Sequence, residues 1–204
     1  MVTRYPTIYR DKYGEERIVI ESTGTSLRTM IRGVEFTGKM FDDFMPVIAE
    51  IAKLQPFTFD MGYLTEFNLV SEIPILVVVD GVPQQVTLQF NFELGLRKEE
   101  IVLELTYDNH LFKATDVQGF IDTVLYDISK QLPKNTYLKI CWFCAFSEFN
   151  PAGFGAFGGL ACFRDNKDGI RKAKTKIELF RVWDTLTEYV QETHLCPEFE
   201  KRQV

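Results

Sequence analysis

Four cysteines and one histidine in the last third of the chain have the types and spacing that could support chemistry. Cys141 and Cys144 form a C-x-x-C pair, and Cys162, His194 and Cys196 follow it. Four thiolates, or three with one imidazole, can hold Zn²⁺ in a closed tetrahedral site. The sequence therefore indicates zinc as a candidate cofactor, with these five residues as candidate ligands.

The surroundings of the C-x-x-C pair also favour a second interpretation, that of buried and chemically inert thiols. Residues 138–146 read as a strand, in which positions i and i+3 face opposite sides and would separate the two sulfurs. No Gly or Pro flanks the pair, and free cysteine is among the most buried residue types. Thioredoxin-like redox chemistry is not expected, because no helix pattern follows Cys144.

A glycine-rich loop over residues 147–159 is the second candidate site. It contains G-x-G-x-x-G at residues 153–158, but the dinucleotide fingerprint needs a strand directly before the glycines and a helix directly after them. Residues 147–152 intervene and residues 160–163 read as a strand, so we interpret the match as chance. A loop of this composition either packs its aromatics on a core or acts as a binding loop. The candidate binding residues are Ser147, Asn150, Gly153, Gly155, Gly158 and Arg164.

Catalytic motifs give no further candidates. The sequence contains no G-x-S-x-G, H-E-x-x-H, Walker A or kinase set. His110 is predicted to be a turn residue, and His194 is predicted to interact with the dipole at a helix end. No catalytic residue is assigned, and the sequence does not decide whether the chain is an enzyme.

Residues 1–112 must supply most of the sheet. The β-branched run 73–79, the turn Asp80-Gly81 and the alternating segments 86–94 and 101–107 predict an antiparallel meander. The spacing of apolar residues in 44–54 predicts a helix.

Residues 113–204 are predicted to run helix, strand, loop, helix. Capping boxes at 115–118 and 175–178 predict the starts of two helices, and the second helix is expected to continue to Val190. A strand over 137–146 is predicted between the two helices. The expected fold is one α+β domain, residues 1–204, with a mostly antiparallel sheet and two or three packed helices.

Charge is distributed unevenly along the chain. The formal net charge is −6, which argues against a general affinity for nucleic acid or anionic membrane. Residues 40–112 hold 3 basic and 12 acidic residues, and residues 164–181 hold 7 basic and 3 acidic residues. The acidic segment favours a basic protein partner. The basic segment is either a contact surface for an acidic partner or phosphate, or a solvated face.

The expected compartment is the cytoplasm. The first residues have no apolar region of a signal peptide, and no window approaches 18 uncharged apolar residues. The four cysteines all lie in the last third, whereas secreted disulfide scaffolds are usually shorter and spread theirs across the chain.

Three segments near the C-terminus resemble an uncharacterised bacterial family, a domain of unknown function. They are Cys141-Trp-Phe-Cys-Ala-Phe-Ser-Glu-Phe-Asn-Pro, Gly158-Gly-Leu-Ala-Cys-Phe-Arg, and the stretch from Trp183 through Leu195-Cys-Pro-Glu-Phe. The resemblance implies a bacterial cytoplasmic protein with no assigned activity. The chain also resembles, more distantly, small α+β immunity proteins of polymorphic toxin systems.

Two classes of function follow from these observations. The first is a non-catalytic binding protein, for example one that neutralises a toxin through a charge-polarised surface. The second is a zinc protein or enzyme centred on Cys141, Cys144, Cys162 and Cys196.

Overall fold

The computed structural model of the chain describes residues 2–47, 50–149 and 157–202. Within these ranges the chain forms a mostly antiparallel sheet with four α-helices, so the predicted α+β class is confirmed. Two of the four helices have six residues or fewer. None of the helices in these ranges is long and apolar enough to span a bilayer.

The first half of the chain is almost entirely strands. The first five are β1 (Thr3–Asp11), β2 (Gly14–Ser22), β3 (Leu27–Ile31), β4 (Val34–Gly38) and β5 (Met45–Pro46). Helix α1 (Ile51–Leu54) and the hairpin of β6 (Thr58–Asp60) and β7 (Tyr63–Thr65) come next. The meander strands are β8 (Phe67–Val79), β9 (Val82–Leu94), β10 (Glu99–Tyr107) and β11 (His110–Asp116).

A single large sheet organises these strands. Its order is β11-β10-β9-β8-β1-β2-β3-β4-β5, and β12 (Thr136–Leu138) adds to the far end of β8. The predicted meander is confirmed: β8 and β9 pair from Phe67↔Leu94 to Val79↔Val82. Asp80 and Gly81 have φ angles of 49° and 85°, which is the geometry that a two-residue hairpin turn requires.

Alternation along the strands places the core on one face of the sheet. In β9, Phe90 and Phe92 are fully buried, whereas Asn91 between them points to solvent. Phe41 and Phe157 come from loops and pack on these rings, with centroids 4.7 Å apart for Phe41–Phe90 and 4.8 Å for Phe41–Phe157. The aromatic cluster therefore ties the β4–β5 loop and the segment after residue 156 to the sheet.

The predicted helix over 44–54 is mostly wrong. Only Ile51–Leu54 is helical, and Met45–Pro46 instead pairs with β4 at the edge of the sheet. The backbone N–H of Val47 donates to the carbonyl of Glu35 at 2.9 Å, so sheet hydrogen bonding takes precedence over the helical spacing. Residues 48 and 49 lie outside the described ranges.

The first predicted capping box is wrong in position. Thr115 and Asp116 complete β11, because pairing with β10 extends to Ile101↔Asp116, and α2 (Ile121–Gln131) starts five residues later. Asp116 Oδ1 accepts hydrogen bonds from the backbone N–H groups of Gln118 and Phe120, at 2.8 and 3.0 Å. A helix does follow, and four of its residues are buried: Ile121, Val124, Leu125 and Ile128.

A small sheet and two helices form the C-terminal part. The strands are β13 (Ser147–Phe149), β14 (Leu160–Cys162) and β15 (Glu188–Val190), and the helices are α3 (Lys167–Lys172) and α4 (Lys176–Val182). The capping box of Thr175 and Glu178 is confirmed. The helix that it opens is shorter than predicted, because Val190 pairs with Leu160 in the small sheet.

Candidate functional site

The C-x-x-C pair lies in a 3₁₀ turn, and the predicted strand over 137–146 is wrong beyond Leu138. The N–H of Cys144 donates to the carbonyl of Cys141 at 3.0 Å and closes the turn. The N–H groups of Cys141 and Trp142 donate to the carbonyls of His194 and Glu192, at 3.1 and 2.9 Å. The C-terminal segment therefore holds this turn, and the argument that a strand separates the two sulfurs no longer applies.

The four cysteines converge on one region. Cys141 and Cys162 are buried together with Leu160 and Val190, and Cys196 packs against this cluster. Cys144 is buried in the neighbouring apolar cluster. The other three thiols each interact electrostatically with Cys141. The fold thus brings together residues that are as much as 55 positions apart, from 141 to 196.

Burial makes two of these thiols poor nucleophiles. It raises the pKa of Cys141 far above its usual range and also raises the pKa of Cys162. A thiol that stays protonated does not attack a substrate. In the described ranges no group of three or more His, Cys, Asp and Glu residues could hold a metal ion. The arrangement is typical of core cysteines and gives the zinc prediction no support.

A pocket of about 560 Å³ lies beside the thiol cluster, a size typical of small-ligand sites. It brings together Arg164, predicted as a binding residue, with His194 and Cys196, both predicted as zinc ligands. Polar groups on its wall also include Thr23 and Thr25 from the turn after β2. Its apolar wall consists of Leu76, Leu195 and Pro197.

His194 has a fixed place in this pocket. It follows β15 and does not end a helix, so the predicted dipole interaction is wrong. Its ring packs directly over Gly24, where a Cβ would overlap the imidazole, and Gly24 has a φ of 91°. The N–H of Gln191 donates to the carbonyl of Gly24 at 2.8 Å and joins the two segments. Burial lowers the pKa of His194, which favours the neutral imidazole.

The charges in the pocket do not cancel. Arg164 forms an ion pair with Glu188 across the pocket wall. Lys139 is held in place by a hydrogen bond from its backbone N–H to the carbonyl of Leu76, at 2.7 Å. Its ammonium group makes no salt bridge with any residue that the structure describes. One positive charge is therefore left for a ligand.

A model of one protein family matches residues 3–147, and its description is a family of unknown function, DUF6304. The chain belongs to this DUF6304 family. No curated protein and no solved structure matches it. The matched range contains all of the large sheet and the C-x-x-C turn. Cys162, Arg164, His194 and Cys196 lie beyond it.

Three of the six predicted binding-loop residues of this DUF6304 chain, Ser147, Gly158 and Arg164, lie in the described ranges, and only Arg164 among these three lines the pocket. Asn150, Gly153 and Gly155 lie outside the described ranges. Ser147 is buried in β13, where its hydroxyl donates to the carbonyls of Cys141 and Cys144, at 2.6 and 3.0 Å. Its role is to hold the C-x-x-C turn. Arg164 is in the pocket.

Gly158 has a structural role that explains its residue type. It has a φ of 130°, and a Cβ there would lie 2.5 Å from the carbonyl oxygen of Lys39. The N–H groups of Gly158 and Gly159 donate to the carboxylate of Glu192, at 2.7 and 3.3 Å. Gly158 therefore joins the loop to the C-terminal segment.

Sequence reasoning missed Glu192, Lys139 and Glu188. Glu192 is fully buried, and burial raises its pKa to about 7. Nothing in the local sequence distinguishes this glutamate from solvated ones, because its partners are backbone groups more than 30 residues away. The run of four polar residues 191–194 directly after β15 is the single signal that could have drawn attention to it.

Proposed function

We propose that the chain is a non-catalytic binding protein whose pocket takes a small organic anion, one with a carboxylate or phosphate group and an apolar body. The observation that carries the proposal is Lys139, a cation on the pocket wall with no acidic partner among the described residues. A charged hydrogen bond to a ligand would use this ammonium group. The apolar body would pack on Leu76, Leu195 and Pro197.

Binding fits the geometry better than catalysis. A Cys–His nucleophile needs a hydrogen bond from the thiol to the base. In the described part of the chain no hydrogen bond joins His194 to the thiol of Cys196, although both line the pocket. Burial raises the pKa of the Cys141 and Cys162 thiols and so disfavours the nucleophilic thiolate. The imidazole and the thiols therefore contribute to the shape and polarity of this region and do not form an activated nucleophile.

The basic protein partner and the toxin-immunity role stay predictions, with less support than the pocket. On the meander, Lys98 forms ion pairs with Glu93 and Glu100, at 2.9 and 2.8 Å, and Lys113 pairs with Glu104 at 2.6 Å. These two lysines thus compensate a small part of the acidic charge there. A basic partner would have to compete with these lysines.

The test uses probes of matched size and opposite charge. Hexanoate and hexyl phosphate are titrated into the full chain in a calorimeter, with hexylammonium as the control for the apolar body. We expect saturable binding of the two anions and none of the cation. Equal heats for all three probes, or none for any, would contradict the proposal.

Two lysine variants locate the site. We expect Lys139→Ala to weaken binding of hexanoate about tenfold, because it removes one charged hydrogen bond. Lys134→Ala is the matched control, since Lys134 is exposed and outside the pocket. It should bind as the unmodified chain does. The same loss in both variants would show a general charge effect in place of a site.

A further inference from the structure

Helix α4 exposes two large apolar side chains to solvent. Ile177 is 68% exposed and Phe180 is 53% exposed, although the chain has an apolar cluster for α4 to pack against. Leu179 and Val182 on the other side of the helix make that contact. The outward pair therefore contributes little to the fold.

Cations border this apolar pair. With about 100° per residue, a helix places Phe180 and Ile177 side by side, Lys176 next to Phe180 and Arg181 next to Ile177. The ammonium of Lys176 lies 5.7 Å from the centre of the Phe180 ring. Two more exposed lysines precede the helix in the chain: Lys172, the last residue of α3, and Lys174, which also lines a groove with Glu148 and Glu200. We call Ile177, Phe180 and these four cations the α4 patch.

The cations of the α4 patch are not neutralised by salt bridges within the described chain. Arg171 nearby does have acidic partners, Asp168 and Glu200. Glu178, the one acidic residue of α4, uses its carboxylate in the capping box with Thr175. Backbone and side-chain hydrogen bonds at the helix start and, to a smaller extent, the charge of Arg181 lower the pKa of Glu178, so Arg181 is partly compensated. The patch therefore combines exposed hydrocarbon with positive charge that comes mainly from its lysines.

We propose that the α4 patch docks on an anionic lipid surface, and this proposal does not depend on the pocket. Lysine, which supplies three of its four cations, is depleted at protein–protein interfaces. A charged group on a long flexible stem beside Phe and Ile suits an interface with lipid headgroups, where the charged group reaches the headgroups and the two apolar side chains enter the acyl boundary. Charge complementarity with anionic lipids supplies the attraction.

The net charge of −6 sets how such docking would behave. It opposes a general attraction to an anionic bilayer, so contact is confined to the orientation in which α4 faces the lipid. The attraction acts over a Debye length and weakens as salt is added. Reversible, salt-sensitive binding is the expected form.

The experiment is co-sedimentation of the full chain with vesicles. One set contains equal parts of phosphatidylglycerol and phosphatidylcholine, and the other contains phosphatidylcholine alone. We expect binding to the anionic vesicles at low salt, little to the neutral ones, and release at high salt. Equal binding to both sets, or none to the anionic set, would overturn the proposal.

Variants assign the effect to the α4 patch. The double change Ile177→Ser and Phe180→Ser, and separately Lys172→Gln with Lys176→Gln, should each reduce the bound fraction about tenfold at limiting lipid. The apolar control is Met61→Ser with Leu96→Ser, two exposed positions elsewhere. The charge control is Lys130→Gln with Lys134→Gln. Circular dichroism and thermal unfolding check that each variant is folded. If the patch variants are folded and bind vesicles as well as the unmodified chain does, the assignment to the α4 patch is refuted.

Discussion

The large sheet and the C-terminal part are held together by different kinds of interaction. In the sheet, apolar side chains alternate with polar ones, and aromatic rings such as Phe90 fill the buried face. In the C-terminal part, buried polar groups make the decisive contacts. Glu192 holds Gly158 and Gly159, and Gln191 accepts hydrogen bonds from Tyr5 and Ser22 of the sheet.

This difference decides where a binding site can form. Alternating apolar residues produce a filled core, because close packing leaves few voids. Polar segments that cross over the sheet leave the pocket between the turn after β2 and residues 194–197.

The largest effect is expected in the sheet. Phe90→Ala removes a fully buried ring that contacts Phe41, Phe92 and Phe157, so it should lower the free energy of unfolding by about 4 kcal/mol. Urea denaturation measures this change. Phe180→Ala, at an exposed position, should change stability by less than about 0.5 kcal/mol. A small loss for Phe90→Ala would mean that the aromatic cluster is not the centre of the fold.

The next effect concerns the buried carboxyl of the C-terminal part. Burial raises the pKa of Glu192 from 4.5 to about 7. A raised folded-state pKa gives a stability contribution that is complete below the unfolded pKa and is lost as pH rises through the folded one. The free energy of unfolding should therefore fall by about 3 kcal/mol between pH 4.5 and 7 on account of this group.

Glu192→Gln tests that dependence, because the amide oxygen can still accept a hydrogen bond but the side chain has no charge to gain. Relative to the unmodified chain, the variant should gain stability as pH rises through this interval. Glu72→Gln, at an exposed position of β8, is the control and should follow the unmodified chain. Parallel pH profiles for the unmodified chain and Glu192→Gln would show that Glu192 does not titrate as described.

A smaller effect is expected where the two regions meet. Gly24→Ala would strain a φ of 91° and push the added methyl group into the ring of His194, at a cost of about 2 kcal/mol. Gly62→Ala is a closely matched control, since Gly62 has a φ of 92° and open space around its Cβ position, and it should cost about 1 kcal/mol. Gly24→Ala should also weaken hexanoate binding, and Gly62→Ala should not. Identical behaviour of the two variants would mean that His194 does not depend on Gly24.

The sequence predicted the sheet well because its signals are local. The Asp80-Gly81 turn and the alternation in β9 each depend on neighbouring residues, and both are confirmed. The same holds for the Thr175 capping box. The helix predictions at 44–54 and 115–118 failed where pairing with a strand distant in sequence took precedence over local spacing.

The candidate site was predictable only as a set of residue types. Arg164, His194 and Cys196 were named from the sequence, but the grounds were zinc ligation and a binding loop, and the pocket that joins them was not foreseen. Lys139 and Glu188 carried no sequence signal, because their role depends on which segments the fold brings together. Long-range contacts of this kind have no local pattern.

The most direct measurement of the binding claim is proton NMR of the two imidazole rings during a titration with hexanoate. The chain has two histidines, and His110 is exposed at the far turn of the meander, whereas His194 lines the pocket. A His110→Gln variant assigns the signals. We expect the His194 signals to shift with saturation while those of His110 stay in place. Signals of His194 that do not move, or that move no more than those of His110, would contradict the account.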